Sequence, residues 1–170
     1  MKKIISHTSI LVLVVISMFV THRASAQNEK LAFGLQYQTL TYGLSAKYNI
    51  NMNSAIQATI NPISTNNLNL NFYGGRYYYN FAEGGDHIVP YLFAGAGIIS
   101  YKYELAKLTS GYVKDISGSF FGYNAGGGLS GRPTKNLELS LDLGYGKLNV
   151  EDGLSIAGLN LGFGIHYYIN

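Results

Sequence analysis

Cysteine and tryptophan are both absent from the chain, and proline occurs three times in 170 residues. Without cysteine there is no disulfide, no thiolate metal site and no lipidated N-terminal Cys. Charge is scarce too. Asp, Glu, Lys and Arg make up 12% of the chain, whereas a soluble surface alone carries ~25–35%. Such a chain does not need a fully hydrated exterior. No long amphipathic helical pattern follows residue 27. What is abundant is Gly, at 21, and Tyr, at 15.

Residues 1–26 read as a cleaved secretory signal peptide. Lys2 and Lys3 form a basic start, Ile10 to Val20 an apolar run, and Ala24-Ser25-Ala26 a small-x-small cleavage site. The apolar run is short for a transmembrane helix, which takes ~20 residues. Residues 27–170 then form one domain. Lys2, Lys3 and Arg23 are three of the twelve basic residues, so nine remain against nine acids. The formal charge of +3 belongs to the leader. No basic cluster survives to bind phosphates, which argues against nucleic acid as a partner.

Period two runs through the rest, and side chains of a strand alternate between its faces. Leu137, Leu139, Leu141, Leu143 and Tyr145 alternate with Glu138, Ser140, Asp142, Gly144 and Gly146. Leu31, Phe33, Leu35 and Tyr37 oppose Ala32, Gly34 and Gln36; Leu44, Ala46 and Tyr48 oppose Ser45 and Lys47. Ile56, Ala58 and Ile60 oppose Gln57 and Thr59, and Pro62 is expected to end that strand because proline cannot donate to a ladder. Leu68, Leu70 and Phe72 oppose Asn69 and Asn71. Gly74-Gly75 is a candidate bulge that would flip the parity after it, which leaves Arg76 and Tyr77 to Tyr79 without an assigned face.

In the next segment Tyr91, Phe93, Ile99, Tyr101, Tyr103 and Leu105 are expected on one face. Lys102, Glu104 and Ser100 share the other with Leu92 and Ile98. Phe121, Tyr123, Ala125 and Leu129 then oppose Gly122, Asn124, Gly126 and Gly128. The last segment sets Leu159, Leu161, Phe163, Ile165, Tyr167 and Ile169 against Gly158, Asn160, Gly162, Gly164 and His166. NMN at 51–53, EGGD at 83–86, GRPTKN at 131–136 and VEDG at 150–153 read as turns. The expected fold is all-β: an eight-stranded antiparallel up-and-down transmembrane β-barrel.

The alternation alone fits two barrels. A soluble barrel of the lipocalin kind points its apolar set inward around a ligand. A membrane barrel points it at lipid. Eight strands enclose a space just wide enough for side chains. The small polar set fits that space, and the bulky apolar set does not. Lys47, Lys102, Glu104, Glu138 and Asp142 all fall on the small-residue face. A basic residue facing mid-bilayer lipid would cost ~2–4 kcal/mol. Tyr37, Tyr91, Tyr103, Tyr145 and Tyr167 lie towards strand ends, where their rings can form an aromatic girdle without tryptophan.

GGRYYYNF at 74–81 and PYLFAGAGI at 90–98 resemble the outer-membrane-protein β-barrel domain family, the small OmpA/OmpX-like, porin-like barrels of Gram-negative bacteria. The resemblance spans residues 27–170. It implies an outer-membrane location, contact with outer-membrane lipid, and assembly by the barrel-insertion machinery. Members of the family usually end on an aromatic residue, whereas this chain ends HYYIN.

A lumen charge network of Lys47, Lys102, Glu104, Glu138, Asp142 and His166 is expected to plug the tube structurally. His166 is the best single candidate for chemistry, because a hairpin around residue 151 would set Glu138 beside it, and a Glu–His pair can be half of an acid/base site. Lumen serines such as Ser140 are more readily filler than nucleophile. No catalytic, metal or cofactor site is expected: His87 lies in a turn, and GAG at 95–97 and GGG at 126–128 open no helix that would cradle a phosphate. Residues 106–117 are the longest polar connection, and Lys107, Tyr112 and Lys114 are its candidate binding residues, for a ligand the sequence does not name. The expected role is structural or surface-binding without catalysis; a narrow porin-like channel and a lipocalin-like carrier are the alternatives.

Overall fold

The structure, a computed structural model, describes residues 30–38, 41–64, 68–81, 88–103, 116–150 and 154–169. Residues 1–26, His87, Glu104, Lys107, Tyr112 and Lys114 lie outside the described residues. Eight strands follow in chain order: β1 Leu31–Gln38, β2 Thr41–Asn49, β3 Ser54–Ser64, β4 Leu68–Asn80, β5 Ile88–Tyr103, β6 Ile116–Gly131, β7 Leu137–Asn149 and β8 Ser155–Ile169. Each pairs antiparallel with its neighbours, and β8 returns to β1 to close the barrel. Closure leaves no unpaired edge, a condition lipid imposes because it cannot hydrogen-bond a free strand.

The register fixes the tilt. Leu31 is paired through Tyr48, Ile56, Tyr77, Ala94, Ala125 and Tyr145 to Leu159, ten residues short of Ile169, the other partner of Leu31. A stagger of that size in eight strands inclines them by about 40° to the barrel axis. All these side chains point outward. More than thirty large hydrophobic side chains are exposed, most of them on this outward face, Leu141 at 60% and Leu143 at 57% among them. A soluble monomer rarely exposes a contiguous apolar patch above a few hundred Å².

At one end of the barrel lie Lys30, Ile169 and the tight turns. Residues 50–53 form one of them, with the Ile50 amide donating to the Ser54 carbonyl at 2.8 Å and Asn53 to the Asn51 side chain at 2.9 Å. The other end is called the mouth below. Tyr48, Tyr79, Phe81 and Tyr167 face outward near the turn end; Tyr37, Tyr42, Tyr73, Tyr123 and Tyr145 do so nearer the mouth. Tyr37 stacks on Tyr42 across the β1–β2 pair, ring centroids 6.4 Å apart. These are the two levels at which amphipathic rings sit when a barrel spans lipid.

Three expectations are corrected here. Gly74-Gly75 is no bulge: β4 pairs in unbroken register with β3 and β5 through both glycines. Phe72, Gly74, Arg76 and Tyr78 therefore face inward, and Tyr73, Tyr77 and Tyr79 outward. The glycines make room for a ring. A Cβ at Gly74 would meet Phe72 at 2.5 Å, and one at Gly97 would meet it at 2.6 Å. Pro62 does not end β3, which runs to Ser64 with Pro62 opposite Asn71. The β2–β3 ladder stops at Leu44–Ile60, so proline's missing N–H falls where that ladder has already ended.

The third correction concerns β5, whose faces are reversed. Tyr91 and Phe93 are 2% and 4% exposed and point into the lumen, whereas Leu92 and Ile98 point out. Both faces of this strand are apolar, so polarity does not choose between them. Size does. Gly128 and Gly144 leave the space the two rings occupy: a Cβ at Gly128 would meet the Tyr91 hydroxyl at 2.5 Å, and one at Gly144 would meet the Phe93 ring at 3.0 Å.

Candidate functional site: the closed lumen and its mouth

The inward positions carry the polar chemistry. Lys47, Glu138, Asp142 and His166 are all at most 4% exposed. Lys102 is corrected: it takes the outward parity near the mouth end of β5, exposed, opposite Asn69 and Ser117. Arg76, without a face in the sequence, joins the lumen set.

Two ion pairs cross the tube. The Arg76 Nη1 donates to Asp142 Oδ2 at 3.0 Å, from β4 to β7. Lys47 Nζ donates to Glu138 Oε1 at 2.5 Å, from β2 to β7. Asp142 is the more connected carboxylate: Gln36 Nε2 donates to it at 3.0 Å and the Tyr91 hydroxyl donates to Oδ1. Glu138 accepts from the Tyr168 hydroxyl at 2.8 Å, and Arg132 stands 3.8 Å away. Arg132 also lies over the Tyr168 ring, 3.9 Å from its centroid, so a turn residue caps the network at that end. Lys47 sits 4.8 Å from the Tyr78 ring centroid, and Arg76 5.1 Å from that of Phe93. Buried charges survive when they are paired and their remaining donors are used.

Neutral groups join the two pairs. Gln57 accepts from the Tyr78 hydroxyl and donates to Gln36 at 3.3 Å. It also donates to His166 Nε2 at 3.3 Å, and Ser45 Oγ lies 2.7 Å from the same nitrogen. An amide NH₂ can only donate. His166 Nε2 is therefore the acceptor, and its proton sits on Nδ1, which is buried with no partner. Glu138 and His166 are directly opposite on β7 and β8, as the hairpin expectation required, but their hydrogen bonds run to other groups. Ser140 lies against Gly164 and makes no bond to His166. The hydrogen-bonded triad a hydrolase needs is not assembled. Among the described residues no group of three or more His, Asp and Glu could hold a metal.

Toward the mouth the tube widens into a cavity open to solvent. Gln36, Thr59 and Arg76 form its floor, Gln38, Asn124 and Asn160 a polar ring above, and Phe72, Ile99 and Leu148 part of its wall. Gln38 is 2% exposed; its Oε1 accepts from Asn124 at 2.8 Å, while its Nε2 is buried with no partner among the described residues. The aromatic half of this interior carries no local signal in the sequence. Tyr78, Tyr91, Phe93 and Tyr168 fill much of the lumen, and only glycines on facing strands betray them.

No family model and no curated protein matches the chain. Several solved structures do. The N-terminal β-barrel domain of Pseudomonas aeruginosa OprF is 20% identical, with 81% of this chain and 98% of that one covered and a TM-score of 0.46. Neisserial surface protein A is 18% identical over 82% and 94%, TM-score 0.46. The Yersinia pestis outer membrane protein Ail is 16% identical over 84% and 100%, TM-score 0.42. The chain is similar to these proteins, and its own strand order and closure establish that it is a closed eight-stranded antiparallel β-barrel.

Proposed function

We propose that this protein is an integral outer-membrane β-barrel with a structural or surface-binding role, whose lumen is closed by its own side chains and which performs no catalysis. One observation carries the reading: bulky apolar side chains cover the outside while two ion pairs cross and block the inside. Outer-membrane lipid is then the solvent of the outer face, and the barrel-insertion machinery the partner during assembly. Residues 1–26 serve as the export signal that brings residues 27–170 there. The lipocalin-like alternative needs Leu141 and Leu143 inside, and both point out. A general pore needs an open axis, and the Asp142 and Glu138 networks stand across it.

The test combines two measurements on the refolded protein. Gel migration with and without heating should show a compact, detergent-resistant form that shifts on boiling. Planar-bilayer recording should show no large, stable openings. A form soluble without detergent would overturn the membrane reading, and steady high conductance would overturn the closed lumen.

A further inference from the structure

The two faces of the barrel exchange character near the mouth. Over most of each strand the outside is apolar and the inside polar or small. Beyond the mouth-side tyrosines the inward positions of β4 to β7 become apolar: Leu70, Phe72, Ile99, Tyr101, Phe120 and Leu148 are all half-buried. Tyr101 stacks on Phe120 there, with ring centroids 5.0 Å apart and planes inclined by 23°. The outward positions at the same level are Asn69, Asn71, Ser100, Lys102, Ser117 and Ser119. That is the pattern of a sheet whose outer face meets water. Strand length agrees: β5 and β6 have 16 residues each, whereas a tilted strand crosses a bilayer in ~9–11. These strands overshoot the lipid and form an apolar-walled cup on top of the polar plug.

The cup leads down to a donor that no described residue uses. Gln38 lines the cavity, its oxygen is held by Asn124, and its Nε2 is buried without an acceptor among the described residues. A buried donor left unmade is costly to the fold, and a native structure keeps one where something else completes it. Arg76, whose side chain is 8% exposed, lines the same cavity.

We propose that the mouth cavity binds a small amphiphile, its hydrogen-bond-accepting carboxylate or carbonyl head on Gln38 Nε2 beside Arg76 and its apolar body against Phe72, Ile99 and Leu148. An apolar wall with a few convergent polar groups is the usual form of a small-molecule site. This deepens the binding half of the function proposed above and rests on it. The ligand can come from the medium as a free monocarboxylate or from the bilayer as an acyl lipid; the chemistry recognised is the same.

The probe is octanoate, titrated into the isotope-labelled barrel in nanodiscs while the Gln38 and Asn124 side-chain amides are followed by NMR. Saturable shifts at both amides are expected, with affinity at least tenfold weaker in Gln38→Leu and lost in Gly146→Ile. Gly146 lines the cavity, and a Cβ there has its nearest neighbour at 3.4 Å, so a larger side chain fills the space. Should Gly146→Ile fail to insert, Ile99→Asn tests the wall instead. Contacts from nanodisc acyl chains to Phe72 and Ile99 without octanoate would also support the site and assign its ligand to the bilayer. Shifts that never saturate, or that persist unchanged in the filled variant, would overturn it, as would the absence of both signals. The heat shift on gels, recorded for every variant, keeps this failure separate from failure of the membrane barrel itself.

Discussion

Arg76 on β4 and Asp142 on β7 meet across the lumen, Nη1 to Oδ2 at 3.0 Å, three strands apart one way around the barrel wall and five the other. The pair is a strut between opposite walls. Gln36 and Tyr91 end on the same carboxylate, so four strands depend on one side chain.

Removing half of the strut should therefore cost much more than removing a surface charge. Asp142→Leu leaves Arg76 buried without its counter-ion, and breaking such a pair costs ~3–5 kcal/mol. Arg76→Met leaves the carboxylate with neutral donors and is expected to cost less. The double variant should lose less than the two singles together, with a coupling of ~0.5–3 kcal/mol. Reversible urea unfolding from lipid vesicles measures all four states. Strict additivity would show that the pair does not act as a strut.

How far the sequence discloses this interior depends on the contrast between faces. In β1, β7 and β8 a bulky apolar set opposes a small or polar one, as with Leu141 and Leu143 against Ser140 and Asp142. There alternation names the lumen face directly. In β5 both sets are apolar, and the choice between Tyr91 with Phe93 and Leu92 with Ile98 is made by glycines on β6 and β7. That information is non-local, which is why the strand reads backwards in isolation and takes Lys102 with it. Arg76 follows Gly74-Gly75, which permits a bulge without requiring one. Arg132 lies in a turn, and only the folded chain brings it over Tyr168. The cup at the mouth is visible in sequence as Leu68, Leu70 and Phe72 alternating with asparagines. Its meaning is not, because alternation does not tell where lipid ends.

The level of the lipid is open to measurement by placing charge at different heights outside. Leu143→Arg puts a cation on the outward face of β7, in the stretch between the two tyrosine belts. Its cost should approach the ~2–4 kcal/mol of a basic residue facing mid-bilayer. Ser119→Arg, on the outward face of β6 near its mouth end, should change folding into vesicles by less than ~1 kcal/mol. Equal penalties at both positions would place the mouth of β6 within the hydrocarbon and remove the basis for the overshoot.

Conductance should report the plug. The native barrel is expected to stay closed in planar bilayers. Replacing Arg76 and Tyr91 together by Ala removes two of the groups that cross the tube at Asp142, and Lys47→Ala with Tyr168→Ala opens the level of Glu138. Neither double variant alone clears both levels. The quadruple variant should give discrete openings, and each double should remain closed or nearly so. Openings in one double variant equal to those of the quadruple would mean that a single level does the blocking.

The seam between the first and last strands offers the sharpest contrast among the glycines. Gly34 on β1 faces His166 on β8, and a Cβ built on it would run into the Ile165 carbonyl and the β8 backbone. Backbone cannot rotate aside as a side chain can, so Gly34→Ala must push the two strands apart at the contact that closes the barrel. Gly158, on the inward face of the same β8, has nothing within 4 Å of such a Cβ. Alanine there meets no steric cost and reduces the freedom of the unfolded chain, a gain of ~0.4–1 kcal/mol where the backbone geometry suits it. Gly34→Ala should accordingly fold slowly and lose its heat-shifted band at a lower temperature than the native protein, and Gly158→Ala should match or exceed it. Gel-shift midpoints on a temperature series give both numbers, and a harmless Gly34→Ala would mean that β1 and β8 are not held at the spacing the register implies.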